Sequence, residues 1–413
     1  MSRTRFSSER GAVLVQVAIA LLGLTALSAF VADYGVLWVS RRQAQNSADA
    51  AAMAGAISMG FVSMSNQALA RQAAIDAANQ NTVWGQAPNI TPGDVTFPVC
   101  PPGSPGAGAP ACIQVDLYRN QARGNPLPTF FGRVANVANQ GVRATATAEV
   151  LFGDSTDCVK PFAVPDKWLE RRNDVAPPGW SELDSFERYA QNGNNRGQLL
   201  SPADLYEPPG GAGNTTGVNG TGFTRTSVTL GGSDYGRILT LKQGNPQDQV
   251  SPGWFQPVVL TPGQTGGNNY RNNIANCNGT VIGPGTVLQV EPGNMIGPTR
   301  QGMADLIALD STAIWDTSLN GGLGGVGGGC MQAATCSMSP RIVAIPVYNP
   351  DTFNAGTPSG RIDITIVKVL GFFVERMQGN DVVGRLMAYP GTPRGGTSTT
   401  PETAFVISIA LVR

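Results

Sequence analysis

The stretch Arg10–Ala56, RGAVLVQVAIALLGLTALSAFVADYGVLWVSRRQAQNSADAAAMAGA, decides the architecture of this chain. From Gly11 to Val39 only Gln16, Thr25, Ser28 and Asp33 interrupt an apolar run, and the run contains no proline. As an α-helix, Ala12 to Ala32 spans roughly 31 Å, close to the ~30 Å hydrocarbon core of a bilayer. A helix is also the form in which one segment satisfies its own backbone polar groups in lipid. A secretory signal has an apolar core of roughly 7–15 residues followed by a small-residue cleavage site. This run is longer, although Leu27-Ser28-Ala29 and Phe30-Val31-Ala32 offer weak cleavage sites, so a retained transmembrane anchor over 11–39 is expected. Arg3, Arg5 and Arg10 precede the run and Arg41 and Arg42 follow it, which leaves the positive-inside rule nearly balanced.

Beyond Arg42 the apolar run gives way to Ala, Gln and Met, all good helix formers. The helix is expected to continue through Asp49 toward Asn79, with a break at Gly60. The small side chains of Ala51, Ala52 and Gly55 let another element approach closely. An intramolecular stalk packed on the following strands is the expectation, ahead of a partner interface. Asp33 falls near the outer end of the apolar run, where an interfacial carboxylate is expected rather than an intramembrane pair.

Composition narrows the functional classes. The chain has 413 residues, 14% charged, with a formal net charge of zero. It therefore lacks the basic excess that nucleic-acid binding requires. Its 52 glycines and 30 prolines favour turns and short strands over helical bundles. Histidine is absent, which removes Ser-His-Asp and Cys-His catalysis, His-ligated zinc and imidazole proton shuttling. The six cysteines, Cys100, Cys112, Cys158, Cys277, Cys330 and Cys336, all follow the apolar run, and an even number there points to disulfides in an oxidising compartment. Local pairs Cys100–Cys112 and Cys330–Cys336 would leave Cys158–Cys277 to join distant segments. These cysteines also settle the orientation, with the long C-terminal part outside the cytoplasm.

The distal sequence reads as mixed and then strand-rich. Segments 95–99, 113–119 and 141–152 are expected strands, and a short helix is expected over 130–139 after Pro128 and Thr129. The character changes at Cys158-Val159-Lys160-Pro161-Phe162. A polar helix is expected over 180–191 and another over 300–309. Flexible loops are expected at 207–224 and 321–329. Strands are expected at 341–348, 361–374, 382–389 and 404–412, with Ile362, Ile364 and Ile366 alternating onto one buried face.

The N-terminal stretch resembles the signature of TadE/TadG-like Flp/Tad pilus-assembly proteins, and the TadG-like branch above all. The resemblance is carried by Arg10-Gly11, the apolar helix, Asp33-Tyr34-Gly35, Arg41-Arg42-Gln43 and Gln45-Asn46-Ser47-Ala48-Asp49 through Gly55-Ala56. Its signature positions here are Gly11, Asp33, Gly35, Arg41, Gln43, Asn46, Ala48, Asp49 and Gly55. It covers about 50 residues; the pieces 158–166, 294–299 and 339–341 add a looser likeness. The resemblance implies a single-pass inner-membrane protein acting in surface-pilus assembly and adherence, with pilus-assembly proteins or pilins as partners. Prepilin-like relatives carry a glutamate five residues after the cleavage-site glycine. Gln16 stands there instead, which counts against prepilin-peptidase processing. Some relatives carry a von Willebrand A metal motif, Asp-x-Ser-x-Ser; the nearest approach is Asp316-Thr317-Ser318-Leu319-Asn320, so no metal site is carried over.

Chemistry beyond the resemblance is sparse. Carboxylate pairs such as Asp310 with Asp316, or Asp363 with Glu375, are the remaining acid–base option. The Asn/Gly-rich segment 266–273 is a conceivable calcium loop without an EF-hand pattern. The resulting expectation is an α+β protein without enzymatic activity, cofactor or metal. It comprises a cytoplasmic N-terminus at 1–10, a transmembrane helix at 11–39 and an Ala-rich stalk with a small pilin-like α/β unit at 40–155. A disulfide-braced, mainly antiparallel β domain with long Gly/Pro loops follows at 156–413. A homo-oligomer remains open, as do two alternative roles: a fibre-incorporated minor pilin and a secreted carboxylate-dependent hydrolase.

Overall fold

The computed structural model describes residues 10–172, 180, 185–190, 193–195, 197–207, 221–225, 233–244, 250–336, 338–351, 363–391 and 403–412. The expected cytoplasmic segment before Arg10 lies outside these residues, as do Ile362, much of the expected 180–191 helix and most of the 207–224 loop. The fold is α+β, a long N-terminal apolar helix followed by a mostly antiparallel, sheet-rich region. Two units are resolved, one of 10–59, 65–149 and 409–412, the other of 60–64 and 150–408.

In the first unit, helix α1 (Arg10–Ile57) runs 48 residues, roughly 72 Å. Its two halves have different surfaces. Every large hydrophobic side chain from Val13 to Val31 is exposed. From Val36 onward the helix becomes one-sided, burying Ser40, Ala44, Ala48, Ala52 and Ala56 at successive four-residue steps, with Ser47, Ala51 and Gly55 beside them. This small-residue stripe is a helical face at period 3.6. It meets helix α2 (Gln67–Gln80), whose buried residues are Ala70, Ala74 and Ala78. Ser47 Oγ donates to the Ala78 carbonyl at 3.2 Å. Between the helices the expected break at Gly60 takes the form of a π-turn, Ser58–Val62. The Asn66 side chain then starts α2 by accepting from Leu69 N at 3.1 Å.

The sheet of this unit contains β1 (Val95–Thr96), β2 (Cys112–Arg119) and β5 (Val142–Gly153). β2 and β5 pair antiparallel from Cys112↔Glu149 to Arg119↔Val142. Alternation puts Ile113, Val115 and Leu117 opposite Ala148, Ala146 and Ala144 on one buried face, against which α1 packs. A β-carbon on Gly55 would come within 2.3 Å of Ile113 Cδ1, so a larger residue here would require the Ile113 side chain to shift. Two short strands, β3 (Leu127–Pro128) and β4 (Asn139–Gln140), close a loop between them. The helix expected over 130–139 is instead one 3-10 turn, Gly132–Ala135. It stops there because Asn136 turns left-handed, with φ 62°, and the Thr129 hydroxyl donates to the Val137 and Ala138 carbonyls.

In the second unit the strands are β6 (Phe162–Pro165), β7 (Ile238–Gln243), β8 (Trp254–Val259) and β9 (Val287–Val290), then β10 (Ala313–Asp316) and β11 (Gly325–Gly328). They continue with β12 (Ile342–Tyr348), β13 (Asp363–Gln378), β14 (Asp381–Met387), β15 (Tyr389–Pro390) and the start of β16 (Val406–Val412), whose residues from Ile409 on belong to the first unit. The order β12-β6-β8-β7-β14-β13 closes on itself through a β12–β13 pairing, and β9 bridges β13 and β8. Most pairings are antiparallel; β6/β12, β7/β8 and β15/β16 are parallel. β12 is buried along its whole length, as expected of a strand covered on both faces. Ile364 and Ile366 both lie in the core.

One expectation fails in this unit, the flexible loop over 321–329. The Asn/Gly-rich segment 266–273, a conceivable calcium loop in sequence, contains helix α3 (Gly267–Ala275), formed because Tyr270 and Ile274, four residues apart, are buried. It packs on helix α4 (Ile296–Ala308), which starts earlier than expected, with Asn294 Oδ1 accepting from Ile296 N at 2.9 Å. The glycine run 321–329, read as a flexible loop, contains strand β11, paired antiparallel with β10. Glycine is needed where Trp315 closes over the backbone: a β-carbon at Gly324 would lie 2.5 Å from its Nε1.

Candidate membrane-proximal site

Among the described residues one helix is long and apolar enough to cross a membrane, with mean hydropathy 2.3 over its most apolar window and none of that window buried. Where its exposed half ends, four residue types gather. The Asp33 carboxylate accepts hydrogen bonds from Phe130 N at 2.7 Å, Phe131 N at 3.1 Å and Gly132 N at 2.6 Å. Gln140 Nε2 spans the Pro128 carbonyl at 3.0 Å and the Asp33 carbonyl at 3.4 Å. The Asp33 carboxylate, expected from sequence at the interface, is held by backbone amides and by no cation among the described residues. It is the anchor of the 129–138 loop, supplying the acceptor that three otherwise unpaired amides need.

An open apolar groove of about 630 Å³ runs beside it, between Leu22, Ala26 and Phe30 of α1 and Phe131 and Val137 of the loop. A second groove of about 450 Å³ is lined by Tyr34, Trp38, Arg41 and Arg143. The Arg42 guanidinium stacks 4.8 Å over the Trp38 ring. Aromatics and arginines at one level of a spanning helix are the usual marks of a membrane–water boundary.

The other signature positions are spread along α1. Gly11 lies in its first turn. Gly35 has no other part of the described chain within 4 Å of where a β-carbon would sit. Gln43 Oε1 accepts from Trp84 N at 2.8 Å, Asn46 is exposed, and Asp49 accepts from Gln45 Nε2 at 2.8 Å. Ala48 and Gly55 belong to the stripe packed on α2 and β2. The small residues that could have served a partner helix are thus occupied within the chain.

The six cysteines form Cys100–Cys112, Cys158–Cys277 and Cys330–Cys336. Among the described residues one group of acids and cysteines lies within metal-binding distance, Cys100, Cys112 and Glu149. Its cysteines are oxidised to a disulfide and offer no thiolate.

Of the carboxylate pairs available from sequence, that of Asp363 with Glu375 does not come together. Asp363 and Glu375 lie on one strand, twelve residues and roughly 40 Å apart. Glu375 is bound to Arg376 and Arg385. Asp310 is buried and accepts from Ser339 Oγ at 2.6 Å, whereas Asp316 accepts from Ser318 in its own turn.

A buried ionic cluster went unnoticed in the sequence, since its members look like ordinary surface charges. Asp166 pairs with Lys368 at 2.9 Å, and the neighbouring Lys167 pairs with Asp234 at 2.7 Å. Close by in sequence, Glu170 accepts from Arg172 N at 3.0 Å, and burial with the adjacent Asp204 pushes its carboxyl up to about 8. Glu170 thus keeps its proton in the folded chain from about pH 4.5, where the unfolded side chain ionises, to about pH 8. The folded state binds more protons across that interval, so stability falls as pH rises through it. No histidine titrates in the same window. Lys160, drawn down to about 8 by burial, acts above it and with the opposite sign. Glu170→Gln is expected to flatten the decline in urea-unfolding stability between about pH 5 and 8, raising it by roughly 2–4 kcal/mol at the upper end. An unchanged slope would assign the decline to another group.

No family model, curated protein or solved structure matches this chain.

Proposed function

We propose that this chain is a single-pass inner-membrane protein of TadG-like pilus assembly and surface adherence, structural and interacting in role and without catalytic activity. The observation that carries the reading is the division of α1. An apolar half, exposed all round, passes at Asp33–Arg42 into a stalk whose small residues pack on α2 and β2. The anchor keeps the chain at the membrane, and the stalk raises the disulfide-braced remainder above it. The three disulfides favour an extracytoplasmic location for everything after Arg42. Pilus-assembly proteins or pilins are the partners this reading assigns, with self-association as a further contact and no role for nucleic acid.

Alkaline phosphatase fused downstream of Arg42 is expected to be active, and a green fluorescent reporter at the same point dark. Deletion of the gene is expected to reduce pilus display and surface attachment, and crosslinking to recover pilus components. A silent phosphatase refutes the topology; normal display and attachment after deletion refute the role. The long helix lying on an antiparallel sheet also favours a second reading, a minor pilin within the fibre. That reading requires a mature N-terminus at Ala12, which mass spectrometry of the purified protein tests directly.

A further inference from the structure

We propose that the loop between β3 and β4 is a second membrane contact, its Phe130-Phe131 tip and Val137 seated among the acyl chains of the outer leaflet beside α1. The inference rests on the reading of α1 as the membrane span and adds to it a lipid-embedded loop.

Depth comes first. Val13 to Val31 covers about 27 Å of helix, nearly the whole ~30 Å of a hydrocarbon core, and Asp33 lies about 3 Å beyond. The loop is fastened to that level by three hydrogen bonds from Phe130, Phe131 and Gly132 to the Asp33 carboxylate. From there it reaches back along the helix, because Phe131 and Val137 share a groove with Leu22 and Ala26. Leu22 is eleven residues, or about 16 Å, on the hydrocarbon side of Asp33.

The surface of the loop has the matching character. Phe130, Phe131 and Val137 are 59%, 45% and 50% exposed, and their apolar surface is continuous with the exposed face of α1. A soluble loop seldom presents two adjacent phenylalanines to water. Much of its backbone is bonded within the chain. Beyond the three amides held by Asp33, Val137 N donates to the Gly132 carbonyl at 2.8 Å, and Asn136 N to the Arg133 carbonyl at 3.1 Å. The Thr129 hydroxyl serves the Val137 and Ala138 carbonyls at 2.7 and 2.9 Å. Bonding these groups within the chain lowers the cost of bringing irregular backbone to the edge of the hydrocarbon, where unpaired polar groups are expensive. Arg133, exposed on the same loop, has the long side chain that reaches up to headgroup phosphates.

The test is photocrosslinking of the full-length chain in phosphatidylethanolamine/phosphatidylglycerol vesicles whose acyl chains carry an alkyne tag. Benzoylphenylalanine is placed singly at Phe131, at Ile19 within the span and at exposed Val99. Val99 adjoins Cys100, whose disulfide to Cys112 sets it beside Ile113; Ile113 packs on Gly55, about 33 Å along α1 from Asp33. Lipid capture at 131 is expected to match that at 19 and to exceed that at 99 at least tenfold. Capture at 19 with only background at 131 overturns the inference and leaves the span standing. Capture of protein rather than lipid at 131 overturns it in favour of a partner's helix. Background at both 19 and 131 removes the span and the inference with it.

Discussion

Replacing both Cys158 and Cys277 by alanine is expected to destabilise the second unit by about 5 kcal/mol, against about 2 kcal/mol for the same change at Cys330 and Cys336. The asymmetry follows from the loops closed, with sequence separations of 119 and 6. The longer crosslink removes far more freedom from the unfolded chain. In the folded chain the two segments stay together without it. Thr156 and Ile282 exchange main-chain bonds of 3.0 and 2.9 Å, Gly279 N donates to the Asp157 carbonyl at 3.0 Å, and Lys160 Nζ donates to the Asn276 carbonyl at 2.8 Å. The cost therefore falls on the unfolded state, while the native arrangement persists. Urea unfolding followed by tryptophan fluorescence suits the measurement, because Trp168, Trp180, Trp254 and Trp315, four of the six tryptophans, lie in this unit. Equal losses from the two disulfides would contradict an account based on loop length. A domain is commonly stable by about 5–15 kcal/mol, so the larger loss removes between about a third and all of that margin.

The features that could be read before folding are those encoded locally. The exposed half of α1 follows from an uninterrupted apolar run, and the Ala stripe from its helical spacing. The β13 core face follows from the alternation of Ile364 and Ile366. What escaped reading depends on distant partners. Helix α3 has poor intrinsic propensity in its Gly-Asn-Asn-Tyr-Arg-Asn-Asn sequence and exists because Tyr270 and Ile274 find a core. Strand β11 looks like a linker until β10 pairs with it along its length. Asp33 could be placed at the membrane boundary, but its donors lie 97 to 99 residues away, and no local pattern announces them. The one available sign was the Phe130-Phe131 pair, two large apolar side chains in a segment too short and too Pro/Asn-flanked to build a core of its own. The buried charges were hidden for the same reason: Asp166 and Lys368 sit in segments that only the folded sheet brings together.

Asp166→Ala is expected to cost about 3–5 kcal/mol, the usual penalty for leaving a buried charge without its partner. The carboxylate is fully buried. Its Oδ1 accepts from Lys167 N at 2.9 Å and Phe223 N at 2.8 Å, and its Oδ2 from Tyr206 OH at 3.0 Å and Lys368 Nζ at 2.9 Å. One side chain thus ties the exit of β6, the 205–207 and 221–225 segments and the middle of β13 into a single knot. Burial and the neighbouring Asp166 charge hold the Tyr206 hydroxyl well above its ordinary range, so it remains a donor. Alanine at 166 takes this acceptor from two amides and a hydroxyl, and among the described residues leaves the Lys368 ammonium the Phe223 carbonyl at 3.0 Å. Asp166→Asn keeps an acceptor for the amides and is expected to lose less. Asp166→Leu combined with Lys368→Met removes both charges and is expected to recover more than half of the single-variant loss, because paired apolar groups avoid the desolvation that a lone ion suffers. The same tryptophan-monitored urea titration measures all three variants. A loss below about 1 kcal/mol for Asp166→Ala would mean that water enters this knot and solvates Lys368. A double variant no better than the single one would mean that the stranded amides, rather than the unpaired ammonium, carry the cost.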